Sequence, residues 1–202
     1  MEGKKYTIGK PGINLGNEKM IIVEGPQGTG KTTLANYLRE NMSGANLYRL
    51  SGQRDKTLTG LEQSVKMYDA LFEYLTKMQN IPMSMIFDRT FTTEEVYARL
   101  GYKDYSFTEN YEIYLKMLER LEYDVYYFSL YLRNIELYKE RLARPSHHNY
   151  QSFSLDNSKE QQETFIEISH DLSELKNVSV IQLPMDDFKE SYEAVNDVLK
   201  IR

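Results

Sequence analysis

The 202-residue sequence predicts an α/β domain built on a central parallel five-stranded sheet with helices on both faces. Three observations carry this expectation. Five short apolar runs alternate with segments whose apolar residues recur at helical spacing. Every connection between successive runs is long enough for a crossover, which makes the strands parallel neighbours rather than hairpins. No repeat and no linker interrupts the alternation, so residues 19–202 read as one domain.

Residues 1–18 carry Gly3, Gly9, Gly12, Gly16 and Pro11 with little periodicity. They are expected to form an arm, with one edge strand at Tyr6-Thr7-Ile8. Met20-Ile21-Ile22-Val23 is the first buried strand. The helix after it spans about 30–42 with Leu34, Ala35 and Leu38 on one face, and Ser43-Gly44 stops it. Asn46–Leu50 is the second strand, followed by the polar loop Ser51–Lys56. Leu61, Val65, Tyr68, Leu71, Phe72, Leu75 and Met78 mark a helix over about 60–78, ended by Asn80-Ile81-Pro82. Met83–Phe87 is a strand that terminates in Asp88. Helices follow at 91–100 and 108–122, then a strand at 124–132 and a helix capped by Asn134 that reaches Ala143. Arg144–Tyr150 breaks all periodicity. A helix at 156–175, a strand at 178–183 and a helix at 187–200 complete the chain.

The composition is that of a globular protein, 41% hydrophobic and 27% charged. No apolar run approaches the ~18 residues of a membrane span, and Met1-Glu2-Gly3-Lys4-Lys5 leads into no signal-peptide core. The absence of cysteine excludes disulfides, thiolate metal sites and a cysteine nucleophile, and fits a cytoplasmic enzyme. A net charge of -5 argues against a broad surface that tracks nucleic-acid phosphates, although a local basic groove is compatible with it. Seventeen tyrosines and no tryptophan read mainly as packing, with a few rings available to stack on a base.

The chemistry concentrates in Gly25-Pro26-Gln27-Gly28-Thr29-Gly30-Lys31-Thr32-Thr33, between the first strand and its helix. Residues 25–32 fit G-x-x-x-x-G-K-[ST], whose glycines let backbone N–H groups turn inward around a phosphate. The helix that follows directs its positive end at the same anion. In such a loop Lys31 reaches the β- and γ-phosphates, and Thr32 supplies a hydroxyl to Mg2+. The chain is therefore expected to bind a nucleoside triphosphate.

In parallel sheets ligands sit at the carboxyl ends of the strands, which directs attention to residues there. Asp88 ends a buried strand where a Mg2+-organising acid belongs, and Arg89 beside it has the fork to hold an acceptor phosphate. A capping ion pair is the alternative. Arg141 and Arg144 close a helix at the start of the polar loop, as lid arginines or as ordinary dipole-favourable surface. His147 and His148 are adjacent and lack a carboxylate at ligand spacing, so they read as loop, and His170 reads as surface. Asn177-Val178-Ser179 matches a glycosylation acceptor, with little meaning in a chain without a secretory signal.

Four blocks together resemble the thymidylate kinase and deoxynucleoside kinase group of P-loop kinases. They are Ile21–Thr33, Asp88-Arg89 followed by Thr93-Glu94 and Tyr97, Asp124–Leu130, and Ile135–Arg141 with Arg144. Order and spacing agree over about residues 19–145. The resemblance implies a P-loop kinase fold with an arginine-bearing lid at about 141–155, and ATP and Mg2+ as cofactors. Gly25, Gln27, Gly28, Thr29, Gly30, Lys31, Thr32 and Thr33 would hold ATP, with Thr32 and Asp88 serving the metal. Lys31, Asp88, Arg89, Arg141 and Arg144 would act in transfer. Arg49, Arg54, Arg89, Glu94 and Tyr97 would receive the acceptor, and by layout Tyr68 and Phe72 would line its base pocket. It also implies a homodimer through helices beside the sheet, which the apolar faces of the 61–78 and 108–122 helices would permit.

Two departures bear on the acceptor. Deoxynucleoside kinases usually carry a glutamate just after the second strand, whereas Leu50-Ser51-Gly52-Gln53-Arg54 has none. A hydroxyl acceptor benefits from a general base, and a monophosphate benefits from cations such as Arg49 or Arg54. Pro145-Ser146-His147-His148 replaces the usual Gly- and charge-rich lid. The expectation is an ATP- and Mg2+-dependent kinase of a nucleoside monophosphate, most readily a deoxynucleotide. A deoxynucleoside kinase and a kinase of nucleic-acid ends or bases are the alternatives. A nucleotide-dependent switch is the alternative outside enzymes, against which the Asp88-Arg89 pair argues, since a switch needs no acceptor site.

Overall fold

The computed structural model describes residues 18–50, 52, 54–79, 81–143 and 154–201. In chain order the elements are β1 (Lys19–Glu24), α1 (Lys31–Asn41), β2 (Ala45–Arg49), α2 (Leu58–Met78), β3 (Ser84–Asp88) and α3 (Phe91–Arg99). They continue with α4 (Thr108–Glu119), β4 (Asp124–Tyr131), α5 (Glu136–Leu142), α6 (Leu155–Ser173), β5 (Val178–Pro184) and α7 (Phe188–Leu199). The five strands form one sheet in the order β2-β3-β1-β4-β5, and every pairing is parallel. The expected fold class is therefore the observed one. The expected arm and its strand at Tyr6-Thr7-Ile8 fall outside the described residues, apart from residue 18. The loop from Arg144 to Tyr150, with His147 and His148, also falls outside them.

Strand periodicity divides the core in two. Met20 and Ile22 of β1 join Met85, Phe87, Val125 and Tyr127 on the face covered by α2, α3, α4 and α6. Ile21 and Val23 join Ile86, Phe128, Leu130 and Ile181 on the opposite face, under α1, α5 and α7. Because successive side chains in a strand point to opposite faces, strands buried on both sides must be apolar throughout. That is why β1 reads as an unbroken apolar run. Helix starts are set by local polar chemistry: Thr57 accepts from Thr59 N–H, Ser154 from Asn157 N–H, and Asp187 from the N–H groups of Lys189 and Glu190. Among the described residues no helix is long and apolar enough to cross a membrane.

The face beneath α2, α3 and α4 is packed largely with aromatic rings. Phe72 stacks on Tyr114 with centroids 5.3 Å apart, and Tyr68 meets Phe91, Phe107 and Tyr114 edge-on or nearly so. The phenols that reach polar partners do so through their tips. The hydroxyl of Tyr68 donates to Thr90 O at 3.1 Å and that of Tyr114 to Asp69 Oδ1 at 2.9 Å. This corrects one expectation: Tyr68 and Phe72, each 1% exposed, are core residues and present no ring face to a base. Helical spacing marks an inward face, and it is the same spacing whether that face meets a core or a pocket.

Truncating Phe72 to alanine should therefore lower stability by about 3–5 kcal/mol, the range for a large buried aromatic. Urea unfolding of the purified variant measures it; a loss under about 1 kcal/mol would contradict the packing described.

Candidate active site

Strand register brings the candidate residues together. Val23 of β1 pairs with Asp88 of β3, and Asp88 also pairs with Arg49 of β2. The turn after β1, the end of β3 and the end of β2 thus leave the sheet at one carboxyl edge, near its middle strand.

The turn is possible because of glycine. Gly25 has φ 143°, and a Cβ there would stand 2.5 Å from the carbonyl oxygen of Leu130 in β4. Gly30, φ 97°, is the N-cap of α1 and brings no side chain to cap it. Acidic residues are also absent from the first turn of α1, so the positive end of the helix is left open to an anion. Thr29 closes the turn by donating its hydroxyl to Pro26 O at 2.8 Å. Thr32 and Thr33 are exposed on the first turn of α1.

Lys31 is buried, and its Nζ donates to Gly25 O and Pro26 O, both at 2.7 Å. Burial lowers its pKa from 10.5 to about 7, and the cation of Arg89 pushes in the same direction, while Glu24 and Asp88 oppose both. Arg89 is thus within electrostatic reach of Lys31. It is half-buried, donates its backbone N–H to Val23 O at 3.2 Å and stands at φ 78°. A non-glycine residue in that region costs on the order of 1 kcal/mol or more and persists where its surroundings over-determine it.

Thr32 and Asp88 meet directly: the hydroxyl donates to Oδ2 at 2.7 Å. Arg49 Nε lies 3.9 Å from the same oxygen, and its guanidinium also donates to Asn36 Oδ1. The second oxygen, Oδ1, is buried without a hydrogen-bond partner. A buried carboxylate oxygen left unpaired beside a hydroxyl suits a hard divalent cation that takes oxygen ligands. Among the described residues no group of three or more His, Cys, Asp or Glu side chains could hold a metal. A cation here would share its shell with phosphate oxygens and water, as Mg2+ does.

The remaining expected residues fall in three places. Gln27 donates Nε2 to the hydroxyl of Tyr97 at 3.0 Å, and its N–H donates to Gln161 of α6 at 3.2 Å, so Gln27 and Tyr97 tie the turn to α3 and α6. Glu94 is fully buried on α3, where Oε1 accepts from Lys103 Nζ at 2.7 Å and from the Tyr105 hydroxyl. Its Oε2 has no partner and faces Gly52, where a Cβ would come within 2.9 Å. Arg54 is exposed. A cleft of about 340 Å³ opens beside Lys103 and Tyr105 and shares no lining residue with the turn.

Arg141 stands in the last turn of α5, at the helix end expected for it, and is buried. It is 7% exposed and donates Nη1 to Gly28 O and Thr29 O at 3.3 Å and Nη2 to Met185 O at 2.7 Å. The guanidinium also lies 5.0 Å from the ring centroid of Phe188. It braces the turn from its carbonyl side. Arg144 lies outside the described residues.

Glu24 was not among the expected site residues. Its oxygens accept from Thr90 N–H at 2.5 Å and from the hydroxyls of Thr92 at 2.7 Å and Thr93 at 2.6 Å. Burial raises its pKa, while these hydrogen bonds and the charge of Lys31 act against that rise. One sequence signal was available: a carboxylate ending an otherwise apolar strand, with a threonine-rich segment starting the helix after the neighbouring strand. Lys103 and Tyr105, which hold Glu94, carry no sequence signal because they sit on an irregular loop.

No family model matches the sequence. No curated protein matches it either. Solved structures do match. Deoxyadenosine kinase from M. mycoides with bound dATP is similar over 91% of this chain and 100% of its own, with TM-score 0.59 and 15% sequence identity. The same enzyme with dCMP and a flexible dCDP gives TM-score 0.57 at 16% identity, over 90% of this chain and 98% of its own. Thymidylate kinase from Candida albicans gives TM-score 0.56 at 14% identity, over 91% of this chain and 92% of its own. The chain has the fold of these kinases.

The depressed Lys31 pKa has a measurable consequence. Between about 7, its folded value, and 10.5, its unfolded value, the unfolded chain holds more protons at this site. Stability contributed by Lys31 therefore rises with pH across that window and is lost as pH falls through it. Urea unfolding at pH 7, 8 and 9 should show wild type gaining on Lys31→Met as pH rises; a constant difference would mean that Lys31 titrates normally.

Proposed function

We propose that this chain transfers the terminal phosphoryl group of ATP to a nucleoside monophosphate, with a deoxynucleotide as the natural acceptor and Mg2+ as the metal. The observation that carries the reading is the Thr32–Asp88 contact of 2.7 Å beside the glycine turn, with Asp88 Oδ1 buried and unpartnered. A hydroxyl and a carboxylate held together at the start of a phosphate-binding helix suit the metal of a nucleoside triphosphate.

In this reading the N–H groups of the turn and of the start of α1 cradle the β-phosphate. Lys31 leaves its carbonyl partners for the triphosphate, where anionic oxygens restore the charge that burial disfavours. Thr32 and Asp88 would hold Mg2+, which would neutralise charge on the phosphate oxygens. Arg89, within electrostatic reach of Lys31, receives the acceptor phosphate, and Arg49 adds a second cation at the end of β2. Phosphoryl transfer needs mainly positioning and charge neutralisation, so no covalent enzyme intermediate is invoked. Arg141 braces the turn by donating to the carbonyl oxygens of Gly28 and Thr29.

One observation favours a second reading, in which the acceptor is a deoxynucleoside. Residues 50–54 carry no carboxylate, but Glu94 Oε2 reaches that region, opposite Gly52, without a partner. A carboxylate so placed is a candidate to accept a sugar hydroxyl proton.

ADP formation from Mg-ATP, with nucleosides, nucleoside monophosphates and 5′-hydroxyl oligonucleotides as acceptors and an acceptor-free control, separates these readings. A monophosphate is the expected acceptor, and Lys31→Ala should abolish its turnover. Arg89→Ala should lower turnover of a monophosphate by about 100-fold, as for loss of a charge-stabilising donor, and that of a nucleoside by much less. Turnover confined to nucleosides would replace the first reading with the second.

A further inference from the structure

Glu24 has no task in the transfer just described, yet it is wholly buried and is the carboxylate nearest the entry to the glycine turn. We propose that Glu24 is a positioning residue: it fixes Thr90 and thereby holds Arg89 in the backbone conformation that serves the acceptor phosphate. The inference rests on the role given to Arg89 above.

Three consecutive residues from the end of β3 are pinned to the elements that flank the turn. Asp88 Oδ2 accepts from Thr32, Arg89 N–H donates to Val23 O, and Thr90 N–H donates to Glu24 Oε1. Between the first and the third of these anchors the chain passes through φ 78° at Arg89. An arginine has no intrinsic preference for that region, so the anchors on either side must hold it there. Asp88 and the Arg89 N–H fix the incoming end. Glu24 fixes the outgoing end, and without it the chain after Arg89 is free to relax.

The start of α3 is built around the same carboxylate. Thr90 is the N-cap of α3 but its side chain makes no capping bond; its hydroxyl donates to Glu24 at 3.1 Å. Thr92 and Thr93, in the first turn of α3, donate to the same carboxylate. Glu24 thus puts a carboxylate from another strand at the start of α3, and joins β1 to the helix that carries Glu94 and Tyr97. The partners are neutral hydroxyls and an amide. What they require is acceptor oxygens at these positions, and a glutamine supplies most of this. Its carbonyl can take the Thr90 and Thr92 donors, and its amide can donate to the Thr93 hydroxyl oxygen.

The test compares Glu24→Ala and Glu24→Gln with wild type, using the monophosphate that wild type turns over. Glu24→Ala should lower kcat/KM for that acceptor about 100-fold, the scale expected when a reacting group is misplaced by about an ångström. The ATP dissociation constant should stay within about threefold of wild type, and Glu24→Gln should recover kcat/KM to within about fivefold. In an Arg89→Ala background, Glu24→Ala should cost little more, because both changes remove one function. Hydrogen exchange of the segment containing Thr90 should speed up in Glu24→Ala and return in Glu24→Gln. Equal losses from Glu24→Ala in both backgrounds, a parallel loss of ATP affinity, or a Glu24→Gln variant as damaged as the alanine would each overturn the proposal. Should Glu24→Ala fail to fold, Thr92→Val and Thr93→Val remove one donor each and should give smaller losses of the same kind; unchanged acceptor kinetics in both would overturn it. Should wild type turn over no monophosphate, the reading of Arg89 fails, and the exchange measurement decides separately whether Glu24 holds the segment.

Discussion

The candidate site depends first on the parallel pairing of β1 with β3. That register places Val23 beside Asp88 and brings the hydroxyl of Thr32 to the Asp88 carboxylate. Side chains alternate between the faces of a sheet, so a slip of one residue would send Asp88 to the wrong face and bury Phe87 where the carboxylate now stands. The apolar side chains on the two faces of β1 and β3 oppose such a slip, since each would lose the layer it packs in. The geometry of the candidate site is therefore set by hydrophobic sorting beneath it.

Around that edge the protein gathers cations within an acidic chain. Lys31, Arg49 and Arg89 sit near Asp88, and burial disfavours the charge on Lys31. Buried positive charge without an anionic hydrogen-bond partner is an arrangement that stability alone does not favour. The carbonyl side of the same turn is treated differently, with the guanidinium of Arg141 consuming carbonyl oxygens. The carbonyl side of the turn is thus satisfied by protein, while the N-terminal end of α1 carries neither a side-chain cap nor an acidic residue in its first turn.

Much of this was legible in the sequence. The alternation of apolar runs and helical segments located every element described, because strands buried on both faces and helices with one apolar face leave different periods. Residues 25–32 and the Asp88-Arg89 pair stood out as candidates because a phosphate and a metal would restrict which side chains can serve them. What stayed hidden was direction. Helical spacing marked Tyr68 and Phe72 as inward without saying that α3 and α4 would cover them. Arg141 stood where a lid arginine would stand, and only the packing of α5 against the turn shows its donors spent on carbonyls. Glu24 was hidden for a related reason: its partners begin at Thr90, far along the chain, and no local pattern joins them.

The close approach of Gly25 to the Leu130 carbonyl bears on how the chain comes to be folded. β1 lies in the middle of the sheet, but both of its neighbours, β3 and β4, are made long after it. A nascent chain that has completed β1, the turn and α1 has neither the strand that carries Asp88 nor the strand against which Gly25 closes. Such long-range pairings form slowly because loop-closure entropy must be met before they are rewarded. The glycine turn, ahead of both strands in sequence, thus cannot take its final shape until β3 and β4 are in place.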